Sequence, residues 1–203
     1  MSQRVVPERF VQDQFAIGFW VDPPLDNRAS ERYREIAEAN FTTVIGGFGA
    51  TTPEAVKKQL DLCQKNHLKA LVSLPGYRQG AQHGASALEA VRESDKFPDH
   101  PACWGFLTKD EPVASEFADL AFITAHLRKT RPGRLTYINL FPNYANMAQL
   151  GAPNYDEHVR RFVAEVTPDV LSMDHYPMMS PHGDGRSGYC ENLQSMRDSS
   201  LQA

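Results

Sequence analysis

The chain is poor in the patterns that most often disclose a function. It has three cysteines, Cys63, Cys103 and Cys190, odd in number, far apart and in none of the CxxC spacings that bind zinc or run thiol exchange. They read as small buried hydrophobes. The seven histidines include no HExxH and no close pair, so no metal ligand is assigned and no cofactor is expected. No Lys/Arg run exceeds two residues and the formal net charge is -4, which leaves no electrostatic footprint for nucleic acid. No apolar stretch approaches the roughly 18 residues of a membrane span, so no membrane partner is expected. The opening residues Met1-Ser2-Gln3-Arg4-Val5-Val6-Pro7 lack a signal-peptide core, and the chain as written is expected in the cytoplasm unless a leader has been trimmed from it. Neither GxGxxG nor GxxxxGK[ST] follows any strand-like run. Gly46-Gly47-Phe48-Gly49 has the wrong spacing for both phosphate loops, so nucleotide-binding sheets lose ground.

What remains is an ordinary globular composition, 41% hydrophobic and 23% charged over 203 residues, read as one domain over 1–203 with residues 1–13 as an N-terminal lead-in. A chain of this size buries roughly 70% of its unfolded surface. Strand-like runs alternate with helical patterns. Phe15–Val21 leads to a helix opening at Ser30. Thr42–Gly46 leads to a helix capped by Thr52 with Pro53 at its first position and Val56, Leu60 and Cys63 as its buried stripe. Leu68–Leu74 precedes a helix around Ala85 to Arg92, and Ser115 starts the longest helix, which stops at Arg131-Pro132-Gly133. Leu135–Leu140 precedes a helix from about Tyr155 to Val166, and Val170–Tyr176 precedes a final helix from about Cys190.

Strands joined through helical crossovers must run parallel. The strand-to-helix loops are long, polar and aromatic. The returns are short: Asn40-Phe41, Asn66-His67, Pro132-Gly133 and Thr167-Pro168-Asp169. Elaboration on one side only fits the functional face of a barrel, so the fold class is α/β, of the (β/α)8 TIM-barrel type, incomplete, with about six strand-helix units. Exposed edges on the first and sixth strands would then invite self-association.

The segment Cys103-Trp104-Gly105-Phe106-Leu107-Thr108-Lys109-Asp110-Glu111-Pro112 is an apolar strand ending in two carboxylates and a proline. Side chains alternate along a strand, so Asp110 and Glu111 are expected to face opposite ways. The end of a barrel strand is where catalytic groups sit, which makes Glu111 the candidate acid or base. Trp20, Asn139 and the triplet Asp174-His175-Tyr176 close the first, fifth and sixth strands and are candidate substrate-binding residues together with Asp110. Tyr77, Arg78 and Tyr144 are candidate rim contacts. His100 and Trp104 read as structural, and His182-Gly183-Asp184-Gly185-Arg186 as a polar loop.

Phe15 to Trp20, Asn40-Phe41-Thr42-Thr43-Val44, His100-Pro101-Ala102-Cys103-Trp104-Gly105 leading into Asp110-Glu111-Pro112, and Asp174-His175-Tyr176-Pro177 together resemble clan A glycoside hydrolases, and within that clan the bacterial beta-galactosidase-like and glycosidase-like barrels. The resemblance implies a carbohydrate substrate, retaining hydrolysis and Glu111 as acid/base. Two departures stand out. Asp110 replaces the clan's asparagine, and the clan's nucleophile belongs to a seventh strand where six units are counted here. The alternatives are a catalytically silent carbohydrate-binding barrel and a metal-assisted hydrolase or lyase built on the same acids.

Overall fold

The computed structural model describes residues 8–46, 50–74, 87–176 and 185–202. Six parallel strands, β1 (Gly18–Phe19), β2 (Thr43–Ile45), β3 (Lys69–Ser73), β4 (Cys103–Asp110), β5 (Leu135–Leu140) and β6 (Ser172–Met173), lie side by side in chain order. Between them run α1 (Ala29–Glu38), α2 (Pro53–Lys65), α3 (Ala87–Lys96), α4 (Phe117–Thr130), the single-turn α5 (Met147–Leu150) and α6 (Tyr155–Val166), and α7 (Gly185–Leu201) follows β6. The sheet curls into an incomplete α/β barrel. Among the described residues, nothing in the sheet pairs with the outer edges of β1 and β6.

The short returns work because one residue in each turns left-handed: Asn40 (φ 62°), His67 (57°), Gly133 (74°) and Thr167 (52°). That reversal at the end of a helix satisfies its last carbonyls and feeds the chain straight into the next strand. Thr52 Oγ1 accepts the Ala55 amide at 3.2 Å and Pro53 opens α2, as the sequence predicts. The two edge strands are shorter than expected. At β1 the ladder is partly taken over by a side chain, because Thr42 Oγ1 accepts the Ile17 amide at 3.0 Å and donates to the Phe15 carbonyl at 2.7 Å. The final helix starts at Gly185, five residues earlier than the expected start near Cys190, so Gly185 and Arg186 are helical; residues 177–184 lie outside the described residues.

The main core lies between the sheet and the helices, with Tyr33, Leu60, Phe117, Leu120, Val159 and Phe162 fully enclosed. A second, smaller cluster fills the inside of the curl: Leu71, Trp104 and Leu135, flanked by Phe10, Ile45, Tyr137 and Val170. Phe10 meets Trp104 edge-on at 5.3 Å and Arg9 pairs with Asp169 at 2.5 Å, so these two residues tie the described start of the chain to the inside of the curl. Gly105 allows β5 to come close, since a Cβ there would stand 2.1 Å from the Leu135 carbonyl oxygen. Cys63 and Cys103 are buried, as expected, whereas Cys190 is exposed on α7. No helix among the described residues is long and apolar enough to cross a membrane.

Candidate active site

A register shift in β4 sets the chemistry at its end. Leu107 pairs with Tyr137, but Lys109 pairs with Ile138 and Asp110 with Asn139, so β4 uses three residues where β5 uses two. A bulge of this kind inverts the alternation beyond it. Lys109 turns to the helix layer, where it pairs with Glu116 at 2.8 Å, and Asp110 turns into the curl. Glu111 follows with φ 47°, a left-handed backbone that a residue with a long side chain rarely adopts, while its amide still donates to the Asn139 carbonyl at 2.8 Å. The expectation that Asp110 and Glu111 face opposite ways is therefore corrected. Strand alternation ends at Asp110, and the left-handed turn at Glu111 brings both carboxyls into one cluster.

That cluster draws on β4, β5 and β6. Asn139, buried at the end of β5, donates through Nδ2 to Asp110 Oδ1 (3.1 Å) and to Asp174 Oδ1 (2.6 Å). Its Oδ1 accepts from Ser172 Oγ at 2.8 Å, which fixes the orientation of the amide. With the Ser172 proton so used, the 2.7 Å contact between Tyr137 and Ser172 is a donation from the tyrosine. On the other side Tyr176 OH donates to Asp174 Oδ2 at 2.9 Å. Glu111 shares a hydrogen bond with Asp174, and its carboxyl is pushed up to about 7, by burial first, then by that bond and by the charges of Asp174 and Asp110. Burial, and then the bond to Asp174, raises the Tyr176 hydroxyl, and burial does the same for Tyr137. Such a cluster can hold a proton on a carboxyl at neutral pH and release it to a group placed above it.

The remaining expected residues fall around this centre. Trp20 approaches Tyr137 edge-on at 6.3 Å and is 37% exposed, so it borders the curl beside the cluster. Tyr144 stands near enough for the charges of Asp174 and Glu111 to act on its hydroxyl, which burial raises first. His175 alternates away from Asp174 and tilts against Tyr189 of α7 at 5.2 Å. Tyr77 and Arg78 lie outside the described residues. His100 is structural, its Nδ1 accepting the Ala102 amide at 3.1 Å.

Sequence reasoning passed over Tyr137 and Ser172, although each lies two residues before a chosen position, Asn139 and Asp174, and so shares its face. It also passed over Asp22, buried just after β1, which accepts Tyr33 OH at 2.9 Å and Gln59 Nε2. Among the described residues there is no group of three His, Cys, Asp or Glu side chains arranged to hold a metal ion.

No protein-family model and no curated protein matches the chain. Among solved structures it is similar to the FMN-binding beta-glucuronidase from Facaelibacterium prausnitzii L2-6, with a TM-score of 0.57 over 97% of this chain and 13% identity. This chain spans 29% of the length of that protein, and at such identity the likeness establishes the fold, a curled parallel α/β half-barrel.

Proposed function

We propose that the chain is the acid-bearing part of a glycoside hydrolase-like barrel that acts on a carbohydrate, with Glu111 delivering the proton to the glycosidic oxygen. The observation that carries this reading is the Glu111 carboxyl at the end of β4, pushed up to about 7 while hydrogen-bonded to Asp174. An acid of that strength is still protonated near neutral pH and becomes a good base once it has given the proton away. Trp20, Tyr137 and Tyr176 give the site aromatic surface of the kind that sugar C–H faces pack against. The glucuronidase-like fold supports the same reading.

A retaining pair holds its carboxyls about 5–5.5 Å apart, with the scissile bond between them. Asp174 acts on Glu111 as a hydrogen-bonded neighbour, which suits a partner of the acid rather than a nucleophile held across the bond from it. Asp174 is Glu111's partner, and the nucleophile has to come from elsewhere.

The test supplies a nucleophile from solution. A panel of phenyl glycosides is incubated with the chain, with and without azide, and with Glu111→Gln as control. Azide forms the bond to the anomeric carbon, the C–O bond breaks, and Glu111 gives its proton to the departing phenoxide. Azide-dependent phenol release that the variant abolishes supports the reading. Glycosides that bind yet stay intact in azide would replace it with the silent carbohydrate-binding barrel.

A further inference from the structure

The five hydrogen bonds around Asn139 and Asp174 have a direction. Tyr137 donates to Ser172, Ser172 to Asn139, Asn139 to Asp110 and Asp174, and Tyr176 to Asp174. Because Ser172 occupies Asn139 Oδ1, the amide can only offer protons to the acids. Asp174 thus receives one donor on each oxygen, Asn139 on Oδ1 and Tyr176 on Oδ2. Donors on a carboxylate's oxygens favour its charged form, so a proton shared with a neighbouring carboxyl favours the neighbour. The neighbour here is Glu111.

We infer that Asp174 is a positioning residue that keeps the working proton on Glu111, and that Asn139, oriented by Ser172 and Tyr137, sets on which of the two carboxyls that proton rests. This deepens the reading of Glu111 as the acid and rests on it. The described groups near Glu111 fit the scheme. Asp110 comes from its own strand, with its charge partly met by Asn139. Asp174 and Tyr176 come from the end of β6, and Tyr144 from the loop after β5. Lys109 is committed to Glu116 on the opposite face.

Two substitutions at neighbouring positions should then act in opposite directions, which a purely structural role would not produce. Asp174→Asn removes the negative partner, so Glu111 gives up its proton at lower pH. Asn139→Ala strips a donor from Asp174 and from Asp110, deepens the negative potential, and moves the loss of the shared proton to higher pH. Tyr176→Phe strips the other donor from a half-exposed position, where the fold is at little risk, and should shift in the same direction as Asn139→Ala but less.

The readout is a carboxyl-carbon NMR titration of glutamate-labelled chain, with Glu111 assigned by its disappearance in Glu111→Gln, and it needs no substrate. If the glycoside assay fails, the result here is unaffected. The Glu111 midpoint should fall by about a pH unit or more in Asp174→Asn and rise by roughly half a unit in Asn139→Ala. Midpoints that stay put in Asp174→Asn, or that move the same way in Asp174→Asn and Tyr176→Phe, would overturn the inference.

Discussion

Asp22 and Asp174 are two strand-end aspartates with nearly the same donors and different uses. Each accepts a tyrosine hydroxyl at 2.9 Å, from Tyr33 and from Tyr176, and each accepts a carboxamide, from Gln59 and from Asn139. The difference lies in what else surrounds them. Tyr33 is fully enclosed, and Asp22 is 2% exposed among Cys63 and the α1 and α2 residues of the main core. Tyr176 is 48% exposed, and the further neighbour of Asp174 is a second carboxyl. Burial raises the Tyr33 hydroxyl and the Cys63 thiol well beyond their ordinary values, so these two described neighbours of Asp22 stay neutral. The same two kinds of donor, both reaching Oδ2 of Asp22, thus pin the β1–α1 corner on one side of the curl. On the other side the same pairing lies next to the raised Glu111 carboxyl and a half-exposed Tyr176, where we propose that it serves an acid.

The largest expected effect separates the two sides by activity. On phenyl glycosides with azide, Glu111→Gln should cost about 10²–10⁴-fold, the usual worth of a positioned acid. The loss should be much smaller on dinitrophenyl glycosides, whose leaving group needs no proton. Equal losses on both would make Glu111 structural.

Next comes Asp22→Ala, which strands the Tyr33 hydroxyl and the Gln59 amide in the core and should lower unfolding free energy by about 2–4 kcal/mol in urea melts. A melt unchanged by this substitution would remove the contrast between the two aspartates.

A finer comparison uses the tyrosines. Tyr33→Phe should cost about 1 kcal/mol, because the hydroxyl lost is buried and bonded, whereas Tyr176→Phe should leave the urea midpoint nearly unchanged, since water replaces its donor.

A last effect is in the pH dependence of stability. Glu111 is raised from an ordinary 4.5 to about 7, so its contribution to stability is complete below 4.5 and is lost as pH rises through 7. In that window the folded chain still holds a proton that the unfolded chain has released, so raising the pH favours unfolding. Glu111→Gln should flatten that part of the stability curve. A wild-type curve already flat there would show that Glu111 titrates alike in both states.

Much of the frame is legible in the sequence because it follows from local rules. Leu135–Leu140 is β5 to the residue, Thr52 and Pro53 start α2, and Asn40, His67, Gly133 and Thr167 mark the returns. The site is less legible for three physical reasons. The bulge near Thr108 and the left-handed Glu111 break the period-two rule that placed Asp110 and Glu111 on opposite faces. Ser172 and Tyr137 matter only because β5 and β6 pair in one particular register, Asn139 beside Ser172, which no single strand encodes. Asp22 follows β1 in a proline-rich stretch that reads as a loop, and its enclosure depends on Tyr33 and Gln59 arriving from two different helices.

The most direct measurement is the titration of Glu111 in the wild-type chain, by carboxyl-carbon NMR, without substrate or substitution. A midpoint near 7, far above the ordinary 4.5, is the expected result, because burial and the bond to Asp174 both hold the proton on Glu111. A midpoint close to 4.5 would mean that Glu111 is ionised at neutral pH like any surface glutamate, and the acid at the centre of this account would be lost.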